Sequence, residues 1–186
     1  EYNKKEKLAI ASARAGNVIG GGDWAKDRII PDLIKSFSNN ENILIRNPNS
    51  TRPWQHVLDP ISGYLILAEK LFKTQKEQGE ILENNYATSF NFGPNTDSNK
   101  TVLELVKEIS KYWEGAWSIN ESDDGFHEAS KLSLQIDKSC KFLKWHPKWD
   151  FHESVERTVK WYKKVNSDER LAYRTCLEDI DLYMQK

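Results

Sequence analysis

Three strings in this sequence bring together residue types that can grip an anion and a ring. Arg14-Ala15-Gly16-Asn17-Val18-Ile19-Gly20-Gly21-Gly22-Asp23-Trp24 packs polar, glycine and aromatic groups directly after an apolar run. Asn17 can donate an amide hydrogen bond to a sugar or phosphate there, and Trp24 can cover a ring. Arg46-Asn47-Pro48 and Arg52-Pro53-Trp54-Gln55-His56 make up the other two. Arginine forks match phosphate oxygens, and an adjacent aromatic stacks on a base or sugar. Two arginines bracketing a turn of Asn, Pro and Ser lean toward an anion site, against the alternative of solvated surface arginines.

Other chemistries find less support. Gly20-Gly21-Gly22 matches neither G-x-G-x-x-G nor a P-loop, and alone it reads as a flexible turn. Its position after a buried strand raises its standing, because ligands of open α/β sheets bind outside the carboxyl ends of strands. The histidines, His56, His127, His146 and His152, form no His-x-x-x-His or His/Cys cluster, so a metal centre is not expected. No Gly-x-Ser-x-Gly or other nucleophile signature occurs.

Length and composition bound the rest. The chain has 186 residues and a formal net charge of −1, which fits one domain without a nucleic-acid or membrane-surface footprint. No apolar run approaches the ~20 residues of a membrane helix. Glu1-Tyr2-Asn3-Lys4-Lys5 does not read as a signal peptide. Cys140 and Cys176 stand far apart, which suits a reducing compartment and a cytoplasmic protein. Seven Trp suit either a carbohydrate-stacking surface or a core. Trp113 and Trp161 fall within amphipathic helix patterns, and Trp145 within a helix stop, so these are read as packing.

The elements that must position these strings follow an α/β pattern. Residues 7–13 read as a buried strand, followed by a long loop from Arg14 to Asp27. A helix is expected over 30–37, with Pro31 tolerable in its first turn, and a strand at Ile43-Leu44-Ile45. Asp59 as N-cap and Pro60 open the clearest helix, with apolar residues from Ile61 to Phe72 at helical spacing. Lys73 to Ala87 reads as a loop or frayed helix end. Ser89 to Phe92 is a strand. Thr101 with Glu104 forms a capping box for a helix ending near Trp113. Trp117 to Ile119 is a further strand. Asp137 caps a short helix through Leu143, and Asp150 with Glu153 a long one through Val165. Beyond Asn166 the sequence is charged, with weak helical periodicity. The opening strand has nothing before it to pair with, so the chain reads as a piece of something larger.

Together the strings resemble the extended short-chain dehydrogenase/reductase family, and within it the CDP-glucose 4,6-dehydratases. The resemblance rests on 13–24, Asp27-Arg28-Ile29-Ile30-Pro31-Asp32, Ile45-Arg46-Asn47-Pro48, Arg52 to Leu58 and Gly63-Tyr64-Leu65. Phe90-Asn91-Phe92-Gly93-Pro94, His127-Glu128-Ala129 and Trp161-Tyr162 extend it to about residue 165. It implies the end of an NAD-binding Rossmann domain and substrate loop over 1–29. A mainly nucleotide-sugar-binding domain would cover 30–165, with elements returning to the Rossmann sheet, followed by a charged tail over 166–186. It further implies an NAD-dependent lyase that converts CDP-glucose to CDP-4-keto-6-deoxy-glucose, working as a homo-oligomer. By motif, Ala15 and Gly16 would lie beside the nicotinamide. Asn17, Arg28, Ile29, Arg46, Arg52, Asn91 and His127 would contact the nucleotide sugar.

One departure limits that resemblance. The family's glycine-rich NAD motif and its Tyr-x-x-x-Lys catalytic pair belong ahead of residue 7, and this sequence carries neither. Tyr2-Asn3-Lys4-Lys5-Glu6 has glutamate at the lysine position. The chain is therefore expected to bind but not to catalyse. The alternatives are a non-catalytic binding or oligomerisation module, or another nucleotide-sugar epimerase or dehydratase.

Overall fold

The computed structural model describes residues 9–77, 85–119 and 131–186. Its strands are β1 (Ser12–Ala15), β2 (Asn17–Ile19), β3 (Ile43–Ile45), β4 (Thr51–His56), β5 (Ser89–Phe92), β6 (Asn99–Thr101) and β7 (Trp117–Ile119). Its helices are α1 (Ile29–Ser38), α2 (Leu58–Glu77), α3 (Val102–Tyr112), α4 (Phe151–Ser167) and α5 (Ala172–Gln185), with a π-turn at Ser139–Leu143. The strands form three small sheets. β1 runs parallel to β5, and β3 parallel to β7. In the third sheet β4 is central, parallel to β2 and antiparallel to β6.

Two apolar cores hold these sheets. In the larger, Ile30, Leu33, Ile34 and Phe37 of α1 meet Leu105, Val106 and Ile109 of α3 and Val155, Val159 and Tyr162 of α4. The i, i+3, i+4, i+7 spacing in α1 is what turns those side chains to one face. The smaller core joins Leu67 of α2 to Phe90, Phe92, Leu143 and Trp145. Two of the four expected caps, Thr101 and Asp150, are present, whereas Asp137 caps nothing with its side chain. Thr101 Oγ1 accepts from the Glu104 amide at 3.1 Å while Glu104 Oε2 accepts from the Thr101 amide at 2.7 Å. Asp150 Oδ1 accepts from the Glu153 amide at 2.8 Å. Each such cap contributes about 1 kcal/mol. Trp161 and Trp145 are buried, and Trp113 packs against the larger core.

Several sequence expectations change. The first described strand lies at Ser12–Ala15 and is largely exposed, not buried, because only β5 pairs with it among the described residues. The loop from Arg14 to Asp27 contains the end of β1 and all of β2, whose three residues are held in register by Trp54, Gln55 and His56. Arg52-Pro53-Trp54 lies within a strand, although proline is uncommon in a central one. The turn expected between the arginines is present at Asn47–Ser50, where the Ser50 amide donates to Asn47 O at 3.0 Å.

Asp59 is not an N-cap. α2 begins one residue earlier, and the Asp59 carboxylate is fully buried, accepting from the Lys148 amide and Tyr183 Oη, each at 2.8 Å. α2 also continues through Glu77, into the stretch read as polar loop. The charged end of the sequence is a 14-residue helix, α5, which buries Thr175, Asp179 and Tyr183 at a spacing of four. No described helix is long and apolar enough to cross a membrane.

Candidate functional site

β2, β4 and the start of α1 wall a cleft of about 1120 Å³. Gly16, Asn17, Arg28, Ile29, Arg46 and Arg52 all line it. Their convergence follows from the register. Asn17 pairs with Trp54 across the parallel strands, and Arg52 lies two residues before Trp54 on the same face. The turn that follows β3 carries Arg46 to the same cleft.

Gly16 is required by close packing. A Cβ there would stand 2.8 Å from Pro53 O and 3.1 Å from Pro53 Cγ. Its amide donates to Phe92 O at 3.3 Å, tying the β1–β5 pair to the sheet that walls the cleft. The glycine triplet has a different task. A Cβ on Gly21 would fall 2.0 Å from Trp161 Cδ2, and Gly22 adopts φ +87°. Gly21 and Gly22 therefore make a tight turn that seats α4, while Gly20 lines the cleft.

The cleft's charge is mixed. Arg28, Lys35, Arg46 and Arg52 face Asp23, Asp27, Asp32 and Glu41 around its wall. Arg52 is only 7% exposed, and its Nη1 donates to Thr51 O at 2.9 Å. In so dry a wall, the attraction of a guanidinium for an anion is screened less than at the surface. Arg28 is more exposed, with Nε 3.8 Å from Asp23 Oδ2. Arg28 is also the N-cap of α1, and it makes no side-chain cap hydrogen bond. Ile29 and Ile30, whose amides precede the first intrahelical bond of α1, line the cleft, where the helix dipole favours negative charge. Burial raises the Asp32 carboxyl above the usual range, with Asp27 adding to the effect and Arg46 and Lys35 opposing it.

Tyr162 lines the cleft as well, and nothing but its place in Trp161-Tyr162 pointed to it. Its hydroxyl donates to Asp23 O at 2.6 Å, and burial, then Asp23, push its pKa up to about 12. Trp24 does not line the cleft. It stands 59% exposed, edge-on to Tyr162 with centroids 5.1 Å apart, beside the cleft rather than in its wall.

The remaining candidates lie elsewhere. Ala15 and Asn91 are in the paired strands β1 and β5, outside the cleft lining, and Asn91 Nδ2 donates to Gln135 O at 3.2 Å. His127 falls outside the described residues. His56 is buried against Trp149, with centroids 4.6 Å apart, and burial followed by Arg157 lowers its pKa to about 3. It is a neutral packing residue. No group of acids, histidines and cysteines able to hold a metal occurs among the described residues.

Of the two residues expected beside a nicotinamide, Gly16 lines the cleft and Ala15 lies outside its lining, and the sequence carries no G-x-G-x-x-G motif to accompany them. The sequence contains no Tyr-x-x-x-Lys pair. What the arrangement can do is hold an anionic, polyhydroxylated ligand between arginines, α1 amides and Asn17.

Residues 1–82 match the model of the NAD dependent epimerase/dehydratase family. The chain is 44% identical over 158 residues to CDP-glucose 4,6-dehydratase of Salmonella typhimurium, covering 84% of this chain and 42% of that protein. It is 24% identical over 164 residues to dTDP-D-glucose 4,6-dehydratase of Mus musculus, covering 88% and 43%. The chain thus spans less than half the length of these curated relatives. Among solved structures, UDP-glucose-4-epimerase from Stenotrophomonas maltophila with bound NAD aligns with a TM-score of 0.68 at 15% identity, over 87% of this chain and 50% of that one. The dTDP-glucose 4,6-dehydratase of Bacillus anthracis in complex with NAD aligns with a TM-score of 0.62 at 19% identity, over 89% and 47%. The chain has the mixed α/β fold of this epimerase/dehydratase group.

Proposed function

We propose that this chain is the nucleotide-sugar-binding portion of an NAD-dependent 4,6-dehydratase that acts on CDP-glucose. The observation that carries the reading is the convergence of Arg28, Arg46, Arg52 and Asn17 on one cleft at the first turn of α1. A diphosphate concentrates charge, and arginine forks with helix amides are its natural partners. The 44% identity to a CDP-glucose 4,6-dehydratase supports the choice of sugar nucleotide. The reading carries with it a cytoplasmic, homo-oligomeric whole protein.

In that protein a bound NAD would supply the hydride chemistry of a 4,6-dehydration. The residues of this chain hold the substrate for that reaction. Arg46 and Arg52 grip the diphosphate, Arg28 and the amides of Ile29 and Ile30 complete its cradle, and Asn17 orients the sugar. Holding the ring in one pose is the positioning part of catalysis. Tyr162 is not a base here, since its proton is committed to Asp23 O and its pKa is raised.

Titration calorimetry of the chain with CDP-glucose, CDP, dTDP-glucose and UDP-glucose tests the reading. Preferred binding of CDP-glucose, with no turnover by the chain even when NAD is added, is the expected result. Tighter binding of another nucleotide sugar would move the assignment to a different epimerase or dehydratase. A second reading, a binding module that works without catalysis, draws on the absence of Tyr-x-x-x-Lys. It predicts the same binding but no dehydratase activity in the protein as it occurs in the cell.

A further inference from the structure

We propose that α5 pairs antiparallel with α5 of a second copy of this chain, along a solvent-facing apolar seam. Tyr173, Leu177, Ile180 and Met184 are exposed by 75%, 41%, 41% and 74%. Their 4-3-4 spacing sets them in one stripe, the d, a, d, a positions of a two-helix seam. The stripe covers about 16 Å of helix at 1.5 Å per residue.

The rotation of α5 is fixed from its opposite face. Tyr183 Oη donates to Asp59 Oδ1 at 2.8 Å and lies 3.0 Å from Ser62 Oγ, while Lys148 Nζ donates to Tyr183 O at 3.0 Å. Thr175 and Asp179 are buried on that face as well. With one side held against α2 and α4, the apolar stripe faces away from the described residues.

Charge selects the occupant and its direction. Arg174 and Asp181 flank the stripe on the same side, seven residues apart, at the two e positions. Both are exposed, Arg174 with a side chain 78% accessible. Antiparallel helices place e positions opposite each other. Two-fold pairing about the point between Leu177 and Ile180 sets Tyr173 against Met184 and Leu177 against Ile180. It also sets Arg174 of each copy against Asp181 of the other. Parallel pairing would face these charges toward Cys176 and Tyr183, without complementarity. The contact is self-complementary, as a two-fold interface must be. A seam this short belongs with the small, reversible interfaces.

Sedimentation of the whole chain over a concentration series, with R174E, D181R and an equimolar mixture of the two, tests the pairing. Wild type is expected to dimerise reversibly. Each single variant sets like charges across the seam and is expected to weaken dimerisation at least about tenfold. The mixture restores it, because one copy then carries two acids and the other two bases. D181R leaves the Arg174–Glu178 ion pair intact, so it separates the interface from helix stability. Circular dichroism of both variants should match wild type. Association through any other surface is indifferent to these charges. Equal sedimentation of wild type and variants, or a mixture no more dimeric than its components, would overturn the proposal.

Discussion

Tyr183 and Asp59 are 124 residues apart in sequence, yet the tyrosine hydroxyl donates to the buried carboxylate at 2.8 Å. The pair locks the last helix to the first turn of α2. Burial raises the pKa of both groups, and the second carboxylate oxygen of Asp59 has no hydrogen-bond partner. Tyr183→Phe is expected to cost about 1 kcal/mol, the usual net worth of one hydrogen bond, since Asp59 Oδ1 keeps the Lys148 amide. Thermal melting followed by circular dichroism would read this as a fall of several degrees, and an unchanged midpoint would show the link to be idle.

His56 makes stability depend on pH. Its folded pKa is lowered to about 3 from an ordinary 6.5, so between those values the unfolded chain binds a proton that the folded chain refuses. Stability is therefore undiminished by this residue above pH 6.5 and falls with acidification below it, by up to about 1.4 kcal/mol per pH unit. Urea unfolding at pH 7.5, 6 and 5 checks the slope. His56→Gln, which does not titrate, should flatten it.

Ligand affinity should follow the cleft arginines. Arg46→Ala and Arg52→Ala are each expected to weaken CDP-glucose binding about 10- to 100-fold, the loss of a charge-assisted hydrogen bond worth about 1.5–3 kcal/mol. Arg52→Lys should recover little, since an ammonium cannot reproduce the fork. Calorimetry decides. Wild-type affinity in both alanine variants would remove the arginines from the site.

The seat of α4 is sensitive to one methyl group. Gly21→Ala places a carbon 2.0 Å from the Trp161 ring, and both the ring and the turn must move. Overpacking of this kind costs about 1–3 kcal/mol. Tryptophan fluorescence should shift as well, and CDP-glucose affinity should fall, because Tyr162 follows Trp161 in the same helix.

Helices were the legible part of this fold. Thr101 with Glu104 and Asp150 with Glu153 announce α3 and α4 through local chemistry, and the structure keeps both caps. What the sequence hid depends on distant partners. β2 is three residues set among glycines, and only the pairing of Asn17 with Trp54 makes it a strand. α5 buries Thr175, Asp179 and Tyr183, polar identities that mask its spacing. At the cleft, arginine spacing pointed correctly to a shared region, whereas Tyr162 reaches it across the tertiary fold. Trp24 misleads for the opposite reason, since its nearness to the glycines in sequence does not put it in the wall of the cleft.

The bond from Tyr162 to the carbonyl of Asp23 spans 139 residues and closes one side of the cleft. On the ribosome, the strands and arginines that form the other walls emerge first, and they wait for α4 before the wall is complete. On the proposed function, a nucleotide sugar meets the complete wall only after α4 has docked. It can reward only a chain whose two distant segments have already met, so ligand protection against proteolysis becomes a readout of finished assembly.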